Sequence, residues 1–114
     1  MSHRRRSALA RFRCGTAPVR LETGRYEGLP VERRTCFICP DSVESEQHVL
    51  LTCPLYDDFR EDMFLAARQY YADFDDSPDY SKLQIMLSSE LLVAEAARTC
   101  QEILSRRYSV IYRL

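Results

Sequence analysis

The stretch "CFICPDSVESEQHVLLTCP", residues 36–54, holds three of the five cysteines and one of the two histidines of this 114-residue chain. Its pattern is Cys36-x2-Cys39-x8-His48-x4-Cys53. Two cysteines with two residues between them can reach one ion from a tight turn, and a second pair of ligands must then come from another element to complete a tetrahedron. The spacing therefore predicts a Cys-Cys-His-Cys metal site.

The second pair of ligands is predicted to lie at the end of a short helix. Asp41 or Ser42 is a suitable N-cap residue, and this start places His48 on the helix. Cys53 follows five residues later, about 140° around an ideal helix from His48, so an unbroken helix would point the two side chains apart. Pro54 disfavours the helical conformation at the preceding residue. We therefore expect the helix to end just before Cys53, which can then turn back towards the ion.

The donor set indicates which metal the site would hold. Three thiolates and one imidazole favour zinc over calcium or magnesium, and four protein ligands leave no open position for a reactive water. The predicted cofactor is therefore a structural Zn²⁺. The alternative is that Cys36, Cys39 and Cys53 are small buried apolar residues and that His48 is an ordinary surface histidine.

The length of the chain predicts a single domain over residues 1–114. It divides into a basic N-terminal segment (1–35), a zinc knuckle (36–54) and a helical part (55–114). Residues 1–35 carry nine Arg against three Glu, whereas residues 41–80 carry two Arg against eleven acidic residues. The charge of the basic segment therefore suits two partners, nucleic acid or the acidic part of the chain itself.

Apolar residues at helical spacing predict several helices outside the knuckle. We expect a short basic helix over residues 2–13, a loop with one turn over 14–30, and helices over 55–74 and 80–87. A longer helix should start after Ser88 or Ser89. The predicted buried stripes are Ala8, Leu9 and Phe12 in the first helix; Leu55, Phe59, Met63, Ala67, Tyr70 and Phe74 in the second; and Leu91, Leu92, Ala96, Cys100, Ile103, Leu104 and Ile111 in the last. The predicted fold is mainly α, with a small zinc knuckle packed against two or three amphipathic helices.

Residues 11–60, "RFRCGTAPVRLETGRYEGLPVERRTCFICPDSVESEQHVLLTCPLYDDFR", carry further motifs around the cysteines. This stretch resembles the zinc-binding region at the C-terminus of non-LTR retrotransposon reverse transcriptases. One departure from the family pattern is "GTAPV", residues 15–19, where the family has a small loop residue and a histidine that are not ligands. A larger departure is that the sequence lacks the polymerase itself. The matching positions are Glu22, Gly24, Arg25, Tyr26, Arg34, Cys36, Cys39, Val43, Glu44, Glu46, His48, Cys53, Pro54 and Tyr56.

The resemblance implies an accessory module that helps to hold RNA or DNA near a polymerase. A reverse transcriptase polymerase domain is thus a further candidate partner. The string "YADFDD", residues 71–76, has Phe74 where the Tyr-x-Asp-Asp motif of a polymerase needs its second Asp, and we interpret it as an acidic helix end and turn. The alternative function is a protein–protein interaction module, in which the acidic helix over 55–74 docks onto a partner and zinc is purely structural.

Arginines supply nearly all of the positive charge, and their planar guanidinium groups suit phosphate. The best candidates for nucleic-acid binding lie along the first predicted helix, where they can neutralise successive phosphates. An equally acceptable interpretation is a solvated N-terminus. A second basic group, Arg25, Arg33 and Arg34, is better explained as structural, pairing with Glu22, Glu44 or Glu46. The candidate nucleic-acid-binding residues are Arg4, Arg5, Arg6, Arg11 and Arg13.

The sequence lacks the patterns of several other function classes. No serine, histidine and acid arrangement or glycine-rich phosphate loop stands out, so we expect no catalysis by the chain itself and no small-molecule substrate. No apolar run approaches the roughly 20 residues that cross a bilayer, and the N-terminus lacks the pattern of a secretory signal. We therefore expect no membrane partner and an intracellular location, in the cytoplasm or the nucleus.

Overall fold

The computed structural model describes residues 2–111, which form helices and turns around the last helix of the chain. No β-strand occurs within these residues, and the one bridge pairs Thr35 with Val43. The prediction of a mainly α fold is confirmed; residues 112–114 of the predicted helical part lie outside the described range. The α-helices are α1 (His3–Arg13), α2 (Arg20–Thr23), α3 (Asp57–Tyr70), α4 (Asp79–Ser88) and α5 (Val93–Ile111); 3₁₀ turns cover Val31–Arg33, Pro54–Tyr56 and Glu90–Leu92, and a π-helical turn covers His48–Thr52.

Helix α5 is the centre of the fold, since α1, α3 and α4 all pack against it. Its Ala96, Cys100 and Ile103 are buried, as the helical spacing predicts. Burial of apolar surface contributes about 25 cal/mol per Å², so this shared core is the main stabilising term outside the knuckle. The partner helices supply buried Ala8, Leu9 and Phe12 from α1, Met63 and Ala67 from α3, and Met86 from α4.

Helix α1 forms where the sequence predicts it. Ser2 has an extended backbone, and its side-chain oxygen accepts a hydrogen bond from the Arg5 N–H at 3.2 Å. This N-cap satisfies one of the backbone donors that every helix leaves open at its start. Arg11 and Arg13 lie in the last turn, where positive charge is favourable. The apolar side of α1 faces α5, and its arginines remain outside.

Helix α3 is shorter than the predicted helix over residues 55–74. The backbone of Tyr71 leaves the helical region, at φ −131° and ψ 92°, and an acidic turn follows. Tyr70 is therefore exposed, and its predicted place in the buried stripe is wrong. Tyr71 turns inward instead, with its hydroxyl 2.7 Å from that of Ser89. Phe74 is buried as predicted, but from the turn, where its ring lies 5.3 Å from that of Phe64.

The chain enters α5 through the 3₁₀ turn Glu90–Leu92. Ser89 stands at the predicted cap position, but its side chain makes no capping hydrogen bond because its hydroxyl is paired with that of Tyr71. Leu91 is exposed, so its predicted place in the stripe is wrong, whereas Leu92 is fully buried. Among the helices of residues 2–111, none has the length and apolar character that crossing a membrane requires.

Candidate metal centre

The four predicted ligands, Cys36, Cys39, His48 and Cys53, come together in one cluster. One ligand atom from each residue lies within 4.8 Å of the others. Three of the residues are buried and Cys39 is half-buried. Cys36 Sγ and Cys53 Sγ are 3.8 Å apart, far beyond the roughly 2.05 Å of a disulfide bond, and all five cysteines are free thiols. The cluster is close enough to hold a metal ion.

The first two cysteines flank a tight turn between two short extended segments. The Cys36 N–H donates to the carbonyl of Ser42 at 2.9 Å, and the Glu44 N–H donates to the carbonyl of Arg34 at 2.9 Å. These bonds form a small hairpin, in which the Ile38 N–H donates to Cys36 Sγ at 3.4 Å. The hairpin therefore holds Cys36 and Cys39 close together at one end of the cluster.

The helix that carries His48 starts later than the sequence predicts. Ser45 Oγ accepts a hydrogen bond from the His48 N–H at 3.0 Å, and the helix begins at residue 46. The predicted caps, Asp41 and Ser42, are wrong, because the hairpin pairing holds the Ser42 carbonyl and the helix cannot begin until the chain leaves that pairing at Glu44.

The turn from His48 to Cys53 is wider than an α-helical turn. The Cys53 N–H donates to the His48 carbonyl at 2.8 Å, one residue farther back than in an α-helix. Cys53 itself is extended, at φ −60° and ψ 123°, as expected before Pro54, so the predicted helix end is confirmed. The sequence pattern did not predict this π-helical turn. It brings residues five apart back to one side, where the ideal α-helix separates them.

Arg60, in the first turn of α3, holds this wide turn. Its buried guanidinium donates from Nε to the carbonyl of Leu50 at 3.2 Å and from Nη2 to that of Val49 at 2.8 Å. It also pairs with Asp57 one turn earlier. Burial lowers the pKa of Arg60, with Asp57 acting in the opposite direction. Sequence reasoning missed this residue, because an arginine on an acidic helix looks solvent-facing until its neighbours are known.

Glu44 connects the knuckle to α5 and α2. Its side chain is only 2% exposed and accepts hydrogen bonds from Arg107, Nε at 2.9 Å and Nη2 at 2.7 Å. The backbone N–H of Arg20 donates to the same carboxylate at 2.7 Å. A nearby arginine was the predicted partner of Glu44, but the arginine that binds it, Arg107, lies 63 residues away.

Arg34 is structural, as expected, but it caps carbonyls instead of pairing with a glutamate. It donates to the carbonyl of Leu29 from Nε and Nη2, at 3.0 and 2.8 Å, and to that of Leu21 at 2.9 Å. Gly24 provides the space, because a Cβ there would lie 2.5 Å from Arg34 Cγ. Arg33 is exposed in this region and Arg25 meets Glu22 at 3.4 Å, so the three arginines differ in role.

Burial shifts the pKa values of three of the four candidate ligands. Burial lowers the pKa of His48, which keeps the imidazole neutral, the form that binds metals. Its Nε2 is buried and has no hydrogen-bond partner within residues 2–111. Burial also raises the pKa of Cys39, where the neighbouring Cys36 adds to it, and raises that of Cys53 to about 12, so a metal ion would have to displace the protons of these thiols. A buried unpaired nitrogen beside three sulfurs fits a metal ion that would satisfy all four.

The arginines predicted to bind nucleic acid all lie on α1 and are exposed. Arg13 donates from Nε to the carbonyl of Leu87 and so serves the packing of α1 on α4. The side chains of the other four form no ion pair or hydrogen bond with any part of the chain that the structure describes; these four are Arg4, Arg5, Arg6 and Arg11.

Comparisons of the chain with protein families, with curated proteins and with solved structures found no match.

Proposed function

We propose that this protein is a zinc-stabilised module that binds nucleic acid through α1 and has no catalytic activity of its own. The zinc would be structural, held by Cys36, Cys39, His48 and Cys53. Sulfur and imidazole are the ligands zinc prefers, and a four-coordinate protein site leaves no position for substrate. The likeness to the C-terminal region of retrotransposon reverse transcriptases supports the same role and makes a polymerase domain a candidate partner.

The observation that carries nucleic-acid binding is the state of the arginines on α1. Helix α1 contains no acidic residue, and four of its arginines have no partner within residues 2–111. Elsewhere in the chain, arginines such as Arg34, Arg60 and Arg107 are occupied by carbonyls or carboxylates of the protein itself. Unpaired guanidinium groups along one helix are suited to successive phosphates, which bind them at low salt.

Mass spectrometry under native conditions tests the metal. We expect one zinc ion per chain and its loss in a Cys36→Ser, Cys39→Ser double variant. Cys14→Ser is the matched control, because Cys14 is an exposed thiol outside the cluster. A purified protein without metal, or full retention of zinc in the double variant, would contradict the proposal.

A salt titration of binding to single-stranded RNA and duplex DNA tests the partner. We expect affinity that falls steeply with salt, and a weaker slope when Arg4, Arg5 and Arg6 are changed to Ala. A control variant that removes three charges from paired arginines, Arg25, Arg68 and Arg98, should bind almost as tightly as the parent, because those guanidinium groups already meet carboxylates. Undetectable binding at low salt would remove the nucleic-acid role.

The second candidate function is a protein–protein interaction module with purely structural zinc. The outer side of α3 favours it, since Leu65 and Tyr70 are 56% and 54% exposed. Acidic residues Glu61 and Asp62 lie on the same helix. This candidate would take precedence if zinc is present and neither nucleic acid binds.

A further inference from the structure

A groove runs between α1 and α5 on the surface of the molecule. Its volume is about 560 Å³, within the roughly 300–1,000 Å³ typical of small-ligand sites. Arg4, Ser7 and Arg11 face it from α1, at spacings that place them on one side of a helix. Gln101, Ser105 and Tyr108 face it from α5. The site is thus built from the two ends of the chain.

The chemistry of the groove is that of an anion site. None of the described residues that line it is acidic, so no carboxylate among residues 2–111 competes in the groove for the guanidinium groups. Arg4 and Arg11 are seven residues apart, about 10 Å along the helix axis, so they can neutralise different phosphates of one strand. The hydroxyls of Ser7 and Ser105 are additional hydrogen-bonding groups beside them.

An exposed aromatic ring lies in the same groove. Tyr108 is 65% exposed on α5. Proteins bind single strands with aromatic side chains beside cationic residues. Each of the bases can stack on an aromatic ring, so this contact does not depend on the nucleotide sequence. A base inside a duplex is already stacked on its neighbours, so this ring favours an unpaired base.

We propose that this groove binds one segment of single-stranded nucleic acid, with phosphates on Arg4 and Arg11 and a base stacked on Tyr108. The inference rests on the proposed nucleic-acid role of α1 and narrows it to one face of the helix. Arg5 and Arg6 do not line the groove. They carry equal charge on the same helix, so they separate this proposal from general attraction to phosphate.

Anisotropy titrations of a labelled oligouridylate over a series of salt concentrations compare two double variants. We expect Arg4→Ala, Arg11→Ala to lower the magnitude of the salt slope by about 1.4, the value for two phosphates on a single strand. Arg5→Ala, Arg6→Ala should change it by less than half as much. Equal changes in both variants would overturn the proposal that the strand binds in this groove, while leaving the nucleic-acid role intact. No binding by the parent protein would overturn both.

Substitutions of Tyr108 test the stacked base. Tyr108→Ala should weaken oligouridylate binding by roughly 5- to 160-fold with an unchanged salt slope, because a stacked base contributes without neutralising charge. Tyr108→Phe should retain the affinity of the parent protein, since the ring remains. The control is Tyr80→Ala, which removes a ring that is 70% exposed and lies outside this groove. An equal loss in both alanine variants, or a loss in Tyr108→Phe as large as in Tyr108→Ala, would overturn the proposal.

Discussion

The arginines around the candidate metal centre and those on α1 have the same charge and different surroundings. Arg60 and Arg107 are largely withdrawn from solvent, and each directs two or more N–H groups at oxygens of the protein. Arg4, Arg5 and Arg6 are exposed and make no such contact within residues 2–111. In the first region the arginines are used to hold other parts of the protein in place, and in the second their donors remain available to a ligand.

This difference shows why the charge pattern alone is a poor guide to partners. Residues 1–35 are strongly basic, yet Arg20 pairs with Glu27 and Arg34 caps two carbonyls. The basic excess that remains for another molecule is concentrated on α1. Substitutions near the knuckle should therefore lower the stability of the fold, whereas substitutions on α1 should weaken nucleic-acid binding and leave stability almost unchanged.

Removal of the metal should have the largest effect on stability. It tests whether the region around the candidate metal centre depends on the ion for its folding. We expect a chelator to lower the melting temperature sharply and to release zinc. Apparent zinc-binding free energies in small zinc-dependent domains are about 10–16 kcal/mol, as large as the entire stability of a typical domain, about 5–15 kcal/mol. Circular dichroism melts with and without chelator measure this. A melt that does not change would mean that the helical core folds without the knuckle.

Breaking the ion pair of Glu44 and Arg107 should have the next largest effect. Arg107→Met leaves a carboxylate that is 2% exposed without its main partner, and such a loss costs about 3–5 kcal/mol. Denaturant unfolding measures the change. The control is Arg98→Met, because Arg98 meets Asp62 at 3.8 Å on the surface, where pairs contribute about 1 kcal/mol or less. Similar costs for the two variants would contradict the importance given to Glu44.

Arg60→Lys tests whether the guanidinium fork itself holds the wide turn. A lysine keeps the charge but cannot reproduce the planar set of donors that reaches Val49, Leu50 and Asp57 together. We expect a loss of about 1–3 kcal/mol in stability, from buried carbonyls left without donors, and weaker zinc retention in competition with a chelator. Arg68→Lys is the control on the same helix, and full equivalence of the two variants would argue against a role for Arg60.

The smallest effect is expected on α1. Changing Arg4, Arg5 and Arg6 to Ala should alter the free energy of unfolding by no more than about 0.5 kcal/mol, because their side chains hold nothing in place. Denaturant unfolding measures the stability of this variant, and the nucleic-acid titration measures its binding. Together they show whether the same substitutions affect binding without affecting the fold. Marked destabilisation would mean that these arginines are structural after all.

Local signals in the sequence were enough to predict the cluster and most helices. The spacing of the cysteines and His48 identified the four residues that come together, and Pro54 identified the end of their helix. Apolar periodicity predicted both ends of α1 and α4 to within one residue, whereas α5 starts later than predicted because the 3₁₀ turn Glu90–Leu92 precedes it. The apolar spacing continues past Tyr70, however, so it predicted a longer helix than α3, whose backbone leaves the helical region at Tyr71.

What the sequence could not predict depends on tertiary contacts. The pairing of Glu44 with Arg107 spans 63 residues, and no local pattern carries such information. Ser42 and Ser45 are both good caps, and the hairpin decides between them by occupying the first. The wide turn at His48–Thr52 likewise depends on donors from α3 that only the folded chain brings near.

That wide turn also bears on how ligand spacings are compared between proteins. In an α-helix, three residues between two ligands bring them to one face, because residues i and i+4 are neighbours. Here the bond from the Cys53 N–H to the His48 carbonyl achieves the same with four residues between them. A motif search that requires three intervening residues at this step would miss a chain of this geometry, whereas one that allows three or four would treat the two backbones as equivalent.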